Sequence, residues 1–228
     1  MAHEREKELF DDWPDTYDSW FATPIGSLVK QYETELLIKM LRPRPEDVIL
    51  DVGCGTGVFT QDVLGSGARI VGLDISLPML RQAIRKTAGL QFSGTAGDMV
   101  ALPFRDNTFD KVYSMTALEF VADGTVAVEE LNRVARQGAT IVLTTLNSKS
   151  PWAKRRKKKA KAGHTLFQSM TFRSPVEMLA MTPPGSDVYT AIHFQKDDKP
   201  ADVPDIEERG KNNREDTGAF VAVSWVKH

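Results

Sequence analysis

A single cysteine, Cys54, in 228 residues leaves no partner for an intrachain disulfide and excludes a cysteine-rich metal site. The four histidines stand at 3, 164, 193 and 228, no two at ligand spacing, so no zinc or iron site is expected. No stretch approaches the ~18 apolar residues of a membrane span. The opening residues, MAHEREKELFDDW, lack the apolar core of a signal peptide. Charge bias is missing too. The 29 basic and 31 acidic residues leave a net charge of −2, so any affinity for nucleic acid or membrane has to be local. A soluble, cytoplasmic protein is the resulting expectation, and a hydrophobic content of 41% is that of an ordinary globular chain.

What the chain does have is alternation. Residues 1–24 mix acids with the aromatics Phe10, Trp13, Tyr17, Trp20 and Phe21. Residues 25–41 then carry Ile25, Leu28, Val29, Tyr32, Leu36, Leu37 and Met40 at helical intervals, and Pro43 and Pro45 end that helix. From 46 to 146 short apolar runs alternate with helix-like segments. Strands are predicted at 48–52, 69–73, 90–93, 110–115 and 140–146, with helices at 58–64, 77–86 and 126–135. Ser76 is a helix cap with Pro78 in the first turn, and Gly138 reads as a stop just past the third helix.

This pattern predicts an α/β chain with a Rossmann-like, doubly wound sheet and helices on both faces. Two further strands, 187–194 and 218–225, follow a helix at 174–181, and the last strand is expected to run antiparallel. Residues 195–217 read as a charged, mobile loop with room for a short helical piece. The expected organisation is an amino-terminal lid and helix over 1–45, packed on one domain over 46–228.

The chemistry gathers at ILDVGCGTG, residues 49–57. A phosphate-binding P-loop needs Gly-Lys-Ser/Thr, but Val58 and Phe59 follow Gly57. A dinucleotide fingerprint needs its third glycine three positions after the second, which is Val58, and Gly57 comes one residue early. The acid-x-Gly-x-Gly-x-Gly spacing of Asp51, Gly53, Gly55 and Gly57 fits neither. Asp74, at the end of the second strand, can accept two charge-assisted hydrogen bonds from a ribose diol, which points to a nucleoside.

Together with GDMVALPFRDNTFDKVYSMTALEFV (97–121) and LNRVARQGATIVLTT (131–145), these segments resemble class I S-adenosylmethionine-dependent methyltransferases. The similarity is to the type 11 group, which includes the ubiquinone/menaquinone methyltransferases. It covers about residues 46–146 and departs from the family at Gln137, where Pro-Gly is more usual. The resemblance implies S-adenosylmethionine as cofactor, S-adenosylhomocysteine as product, and a small-molecule acceptor, lipophilic or anionic. It implies cofactor contacts from Asp51, Gly53, Cys54, Gly55, Thr56 and Gly57, from Asp74, Ile75 and Met79, from Gly97, Asp98 and Met99, and from Met115 and Thr116. In the family an acid like Asp51 orients the loop and the ligand's ammonium, and Asp98 and Met99 would flank the adenine. Tyr17 and Trp20 lie in a segment, YDSWF, that would close over the cofactor.

Other signals carry competing readings. Cys54 has no histidine near it in sequence, so it reads as a small loop residue more than as a nucleophile. His193, in a late strand, reads as an ordinary edge or core residue. Glu119, just after the fourth strand, is the nearest candidate for a general base. KRRKKKAK, at 154–161 within a basic segment over 150–163, is either a solvated helix face or a phosphate-contacting element. The second option leaves RNA-directed methylation as an alternative, although SMTALEF lacks the Asn-Pro-Pro-Tyr type of segment. A non-catalytic cofactor-binding protein is the other alternative. The sequence leaves the acceptor and the oligomeric state open.

Overall fold

The computed structural model describes residue 10 and residues 13–228; the rest of the expected amino-terminal cover lies outside the described residues. Its centre is a seven-stranded sheet ordered β3-β2-β1-β4-β5-β7-β6. The strands are β1 (Val48–Val52), β2 (Arg69–Asp74), β3 (Phe92–Ala96), β4 (Phe109–Ser114), β5 (Ala135–Leu146), β6 (Asp187–Ala191) and β7 (Phe220–Val226). β1 through β5 pair in parallel, and β7 runs antiparallel between β5 and β6. The mostly parallel sheet with an antiparallel last strand is as the sequence predicts.

The helices are α1 (Pro14–Phe21), α2 (Pro24–Leu41), α3 (Thr60–Leu64), α4 (Leu77–Lys86), α5 (Gly124–Val134), α6 (Pro151–Lys161), α7 (Thr165–Gln168), α8 (Pro175–Met181) and α9 (Val203–Asn212). Successive strand side chains face opposite sides, and β1 shows the consequence. Ile49 joins a core with Leu37, Leu41, Val63 and Phe59 from α2, α3 and the preceding turn. Its neighbours Leu50 and Val52 join a second core with Ala127, Leu131 and Met178 from α5 and α8. Each fully buried leucine or isoleucine contributes roughly 1.5–3 kcal/mol. Helices on both faces are therefore what keeps a nearly continuous apolar strand out of water.

Local chemistry sets the helix boundaries. Thr23 caps α2 by accepting from Gly26 N–H, and Arg42 ends it in the left-handed conformation, just before Pro43. Ser76 caps α4 as expected, and Ser174 and Glu177 form a capping box on α8.

Three expectations need correction. The third strand lies later than 90–93, at Phe92–Ala96, where it pairs with β2. Gly138 does not stop a helix: β5 starts directly after α5, and Gly138, with φ +78°, sits inside that strand and donates to the Lys227 carbonyl. The register shift between Phe109 and Lys111 of β4 accommodates the extra length. Finally, 195–217 is not simply a loop, because it contains the ten-residue helix α9. Val203 and Glu207 on its inner face are buried, which ties the helix down.

The order β3-β2-β1-β4 reverses direction between β1 and β4. In open α/β sheets that reversal leaves a crevice beyond the carboxyl ends of the strands.

Candidate functional site

The crevice is lined first by the glycine turn after β1. Gly53, Gly55 and Gly57 all have positive φ (+75°, +54° and +78°), a region that side chains disfavour. Their surroundings differ. A Cβ on Gly53 would stand 2.4 Å from the Ala117 Cβ, and one on Gly57 would stand 3.2 Å from the Ala83 Cβ. A Cβ on Gly55 would meet nothing within 4 Å. Two glycines thus let the loop close on the protein, while the middle one turns bare backbone toward open space.

Two carboxylates brace this loop from below. Asp74 accepts from Gly55 N–H at 2.7 Å and from Ser76 N–H at 2.9 Å, one donor on each oxygen. Burial pushes its pKa up, and the Ser76, Gly55 and Ile75 amides oppose the rise. Asp51 is deeper. Its Oδ2 accepts from the Thr60 hydroxyl and from the Tyr113 hydroxyl, each at 2.6 Å. Burial lifts Asp51 to about 7 in spite of both donors. Cys54 is buried against Leu80, Ala83 and Phe92, and burial raises its thiol pKa well above the ordinary value, so it is not a poised nucleophile.

The remaining predicted residues continue the rim. Gly97 donates to the Asp74 carbonyl at 3.1 Å, joining the ends of β2 and β3, and Ile75 lies half-buried between Asp74 and Ser76. Asp98 turns the chain by accepting from Val100 N–H. Met79 is buried, and Met99 is buried in the apolar cluster with Leu73 and Leu102. At the end of β4, Met115 is buried beside Thr144, and Thr116 holds φ +46°, a strained value for a β-branched residue. Its N–H donates to Thr144 Oγ1, whose own hydroxyl donates to the Ser114 carbonyl.

α1 spans this rim. Asp18 accepts from the buried Thr56 hydroxyl at 2.5 Å and pairs with Lys86 on α4, also at 2.5 Å. Trp20 and Phe21 pack edge to face, and Phe21 meets Phe59 in the same way. The Tyr17 hydroxyl lies beside Thr116, and burial, reinforced by Glu33, Glu119 and Asp18, holds its pKa above the ordinary value. At the other end of the segment Phe10 packs on Phe120, and the Trp13 ring lies 6.3 Å from that of His164.

Beneath α1 lies a group of charges that sequence reading does not assemble. Glu33 of α2 is 5% exposed, and Glu119 of the turn Leu118–Phe120 is 1% exposed. Arg156 of α6 acts electrostatically on both, with its guanidinium over Trp152. Burial raises Glu33 to about 8, with Arg156 opposing and Glu119 reinforcing the rise. Burial raises Glu119 to about 7, against the pull of its own amide, Arg156, the Leu146 amide and Arg173. Neither Glu119 oxygen completes a hydrogen bond, nor does Arg156 Nη1.

A signal for this cluster existed. Glu33 sits on the buried stripe of α2 between Val29 and Leu37, where an apolar residue belongs. Arg156 belongs to the basic run, whose lysines 154, 157, 158, 159 and 161 are exposed, and whose Arg155 pairs with Asp197. Arg173 carries no such sequence signal. It holds the Glu119 turn by donating to the Leu118 and Val121 carbonyls at 2.8 and 2.7 Å.

His193 lies away from this rim. Its Nδ1 is 3.1 Å from Glu207 Oε2 on α9, and Glu207 also accepts from the Ile192 and His193 amides. An open cleft of about 540 Å³ lined by Ile38, Arg42, Pro43, Asp62 and Ser66 lies at the opposite, amino-terminal end of the strands. It holds none of the residues gathered on the rim.

Residues 50–143 match a family described as a methyltransferase domain. The malonyl-[acyl-carrier protein] O-methyltransferase of Pseudescherichia vulneris is 39% identical over 125 residues, 55% of this chain and 49% of that protein. The demethylmenaquinone methyltransferase of Corynebacterium kroppenstedtii is 36% identical over 105 residues, 46% of this chain and 44% of that one. The chain thus spans about half the length of the curated relatives it matches. A Thermotoga maritima structure, described as a methyltransferase dependent on S-adenosylmethionine and possibly a histamine N-methyltransferase, superposes with a TM-score of 0.71. It covers 97% of this chain and 99% of its own at 18% identity, a likeness of fold.

Proposed function

We propose, from the premise that residues 50–143 are a methyltransferase domain, that this protein methylates a small-molecule acceptor with S-adenosylmethionine. The observation that carries the reading is the division of labour in the glycine turn, where Gly55 alone leaves open space at the mouth of the crevice. A ligand without phosphates needs close approach to backbone more than a row of N–H donors, and Gly55 has already given its N–H to Asp74. A carboxylate has about four acceptor directions, so beside its backbone donors Gly55, Ser76 and Ile75 Asp74 retains capacity for a ribose hydroxyl.

When bound, S-adenosylmethionine supplies a methyl group activated by a positively charged sulfur. The protein's work is positioning and the exclusion of water. Asp74 would hold the ribose, Gly97 to Met99 would flank the base, and the Gly53–Gly57 turn would carry the amino-acid end. α1, pinned to the turn through Asp18 and Thr56, would cover the assembled site. The acceptor would enter beside the end of β4, where Ala117 touches the turn.

Isothermal titration with S-adenosylhomocysteine tests the reading. The unaltered protein should bind, and Asp74→Ala should weaken binding by roughly 100-fold, about the loss of one strong hydrogen bond to a charged group. Asp74→Asn, which keeps the shape, should fall between. Absence of binding in the unaltered protein, or equal binding in Asp74→Ala, would overturn it.

A further inference from the structure

We propose that Glu119 is the proton acceptor of the acceptor site and that the methyl goes to a protic nitrogen or oxygen, an amine or a hydroxyl. The proposal rests on the methyl-transfer reading above and adds the missing half of the site.

A buried polar group without a partner is worse than an apolar residue of the same shape, because it has lost water and gained nothing. Glu119 is 1% exposed with both carboxylate oxygens unpartnered, and Nη1 of Arg156 is buried and unpartnered beside it. Glu33, 5% exposed, stands in the same field. These groups come from α2, the turn after β4 and α6, which only the fold brings together. The fold also invests in holding Glu119 there. Arg173 grips the carbonyls on either side of it, and Thr171 N–H donates to its own carbonyl at 2.7 Å.

Position gives the cluster its meaning. Glu119 lies two residues beyond Ala117, whose Cβ occupies the space a side chain on Gly53 would need. The strained Thr116 and the Tyr17 hydroxyl lie on the same side. A group at the end of β4 against the glycine turn is where an acceptor must stand to meet a methyl donor held by that turn. There, a buried carboxylate whose two oxygens have no hydrogen-bond partner accepts hydrogen bonds and can donate none, so it selects an acceptor that brings its own N–H or O–H.

The step balances without another reactant. The acceptor's lone pair forms the new bond to the methyl carbon, the carbon–sulfur pair leaves with the sulfur, and the acceptor's proton moves to a Glu119 oxygen. The titratable and charged groups facing Glu119 set its readiness: Tyr17 on α1, Glu33 on α2, Arg156 on α6 and Arg173 ahead of α8. Burial leaves Glu119 near 7, the range in which a carboxylate serves as base at neutral pH.

The test uses the full chain saturated with S-adenosylhomocysteine and titrated with tyramine, histamine, catechol and malonate. At least one of the amines or the phenol should bind, and Glu119→Gln should weaken that binding tenfold or more while S-adenosylhomocysteine affinity stays within threefold. With S-adenosylmethionine, Glu119→Gln should lose about 100-fold or more in transfer to the bound probe. Transfer by the unaltered protein should rise with pH through a midpoint near 7, a reading that survives even if Glu119→Gln fails to fold. The proposal is overturned if none of the amines or the phenol binds, if malonate is the one methylated, or if Glu119→Gln matches the unaltered protein within threefold. Failure of the unaltered protein to bind S-adenosylhomocysteine would instead sink the underlying reading, and this proposal with it.

Discussion

Replacing Asp18 with alanine should release α1 from the glycine turn without unfolding the domain. In the structure Asp18 accepts from Thr56 Oγ1 at 2.5 Å and from Gln82 Nε2 at 3.3 Å, and pairs with Lys86. Thr56 is fully buried, so its orphaned hydroxyl costs about 1–3 kcal/mol. Asp18 and Lys86 are 22% and 23% exposed, and solvent screening keeps that pair's share to under about 1 kcal/mol. The sum is about 2 kcal/mol, which is roughly 30-fold in the opening equilibrium of the segment.

α1 contributes no fully buried side chain, whereas α2 contributes Leu37 and Leu41 to the core. The opening should therefore be local. Hydrogen exchange resolved at residues 14–22 should accelerate by about that factor in Asp18→Ala, and by less in Asp18→Asn, which keeps a hydrogen-bonding side chain. Amides of β1 and β4 should not change. Unchanged exchange over α1, or equal acceleration across the sheet, would refute the claim that Asp18 is what holds this helix over the turn.

Gly53→Ala combines a Cβ 2.4 Å from the Ala117 Cβ with φ +75°, so it should cost about 2–3 kcal/mol in urea denaturation. Adding Ala117→Gly should recover part of this but not all, since the backbone strain remains; full recovery would show that φ is not limiting. The buried His193–Glu207 pair predicts a pH signature. Burial lowers His193, but its contacts to Glu207 and Glu215 together raise it above 6.5, so its stabilisation is complete below about pH 6.5 and fades as pH rises through its higher folded value. Glu207 is lowered from 4.5, its bonds to His193 outweighing burial, so its share is present above about pH 4.5 and fades as pH falls through its lower folded value. Glu207→Gln should therefore lose more melting temperature at pH 5.5 than at pH 9, and an equal loss at both would count against the pair.

How much of this was legible before folding depended on how local the cause was. The Ser76 cap, the end of α2 at Arg42 and the span of β1 follow from a few adjacent residues, and each stands where expected. β3 lies later than its sequence suggests because Phe92–Ala96 is held by its pairing with β2 and not by an apolar run of its own. α9 gives little sequence signal because its inner face is thin, resting on Val203, the partly buried Ile206 and a glutamate whose burial only the contact with His193 explains. The same rule governs the site. Asp51, Asp74 and the three glycines lie in or just after strands, and their spacing announced them. Glu33 and Arg156 come from helices separated by more than a hundred residues, and nothing along the chain joins them.

The sequence by itself determined the alternation of strand and helix, the glycine turn and the carboxylate after β2, because those are short-range requirements of backbone geometry and periodic burial. Only the tertiary structure decided that Gly55 is the one glycine of the turn with open space beside it, that Asp18 pins α1 across the crevice, and that Arg156 leaves the basic run to face two buried glutamates. The reason is physical. Charge is read from a sequence as if every side chain were in water, and it is the fold that removes the water from Glu33 and Glu119 and leaves them beside the place where a methyl donor would be held.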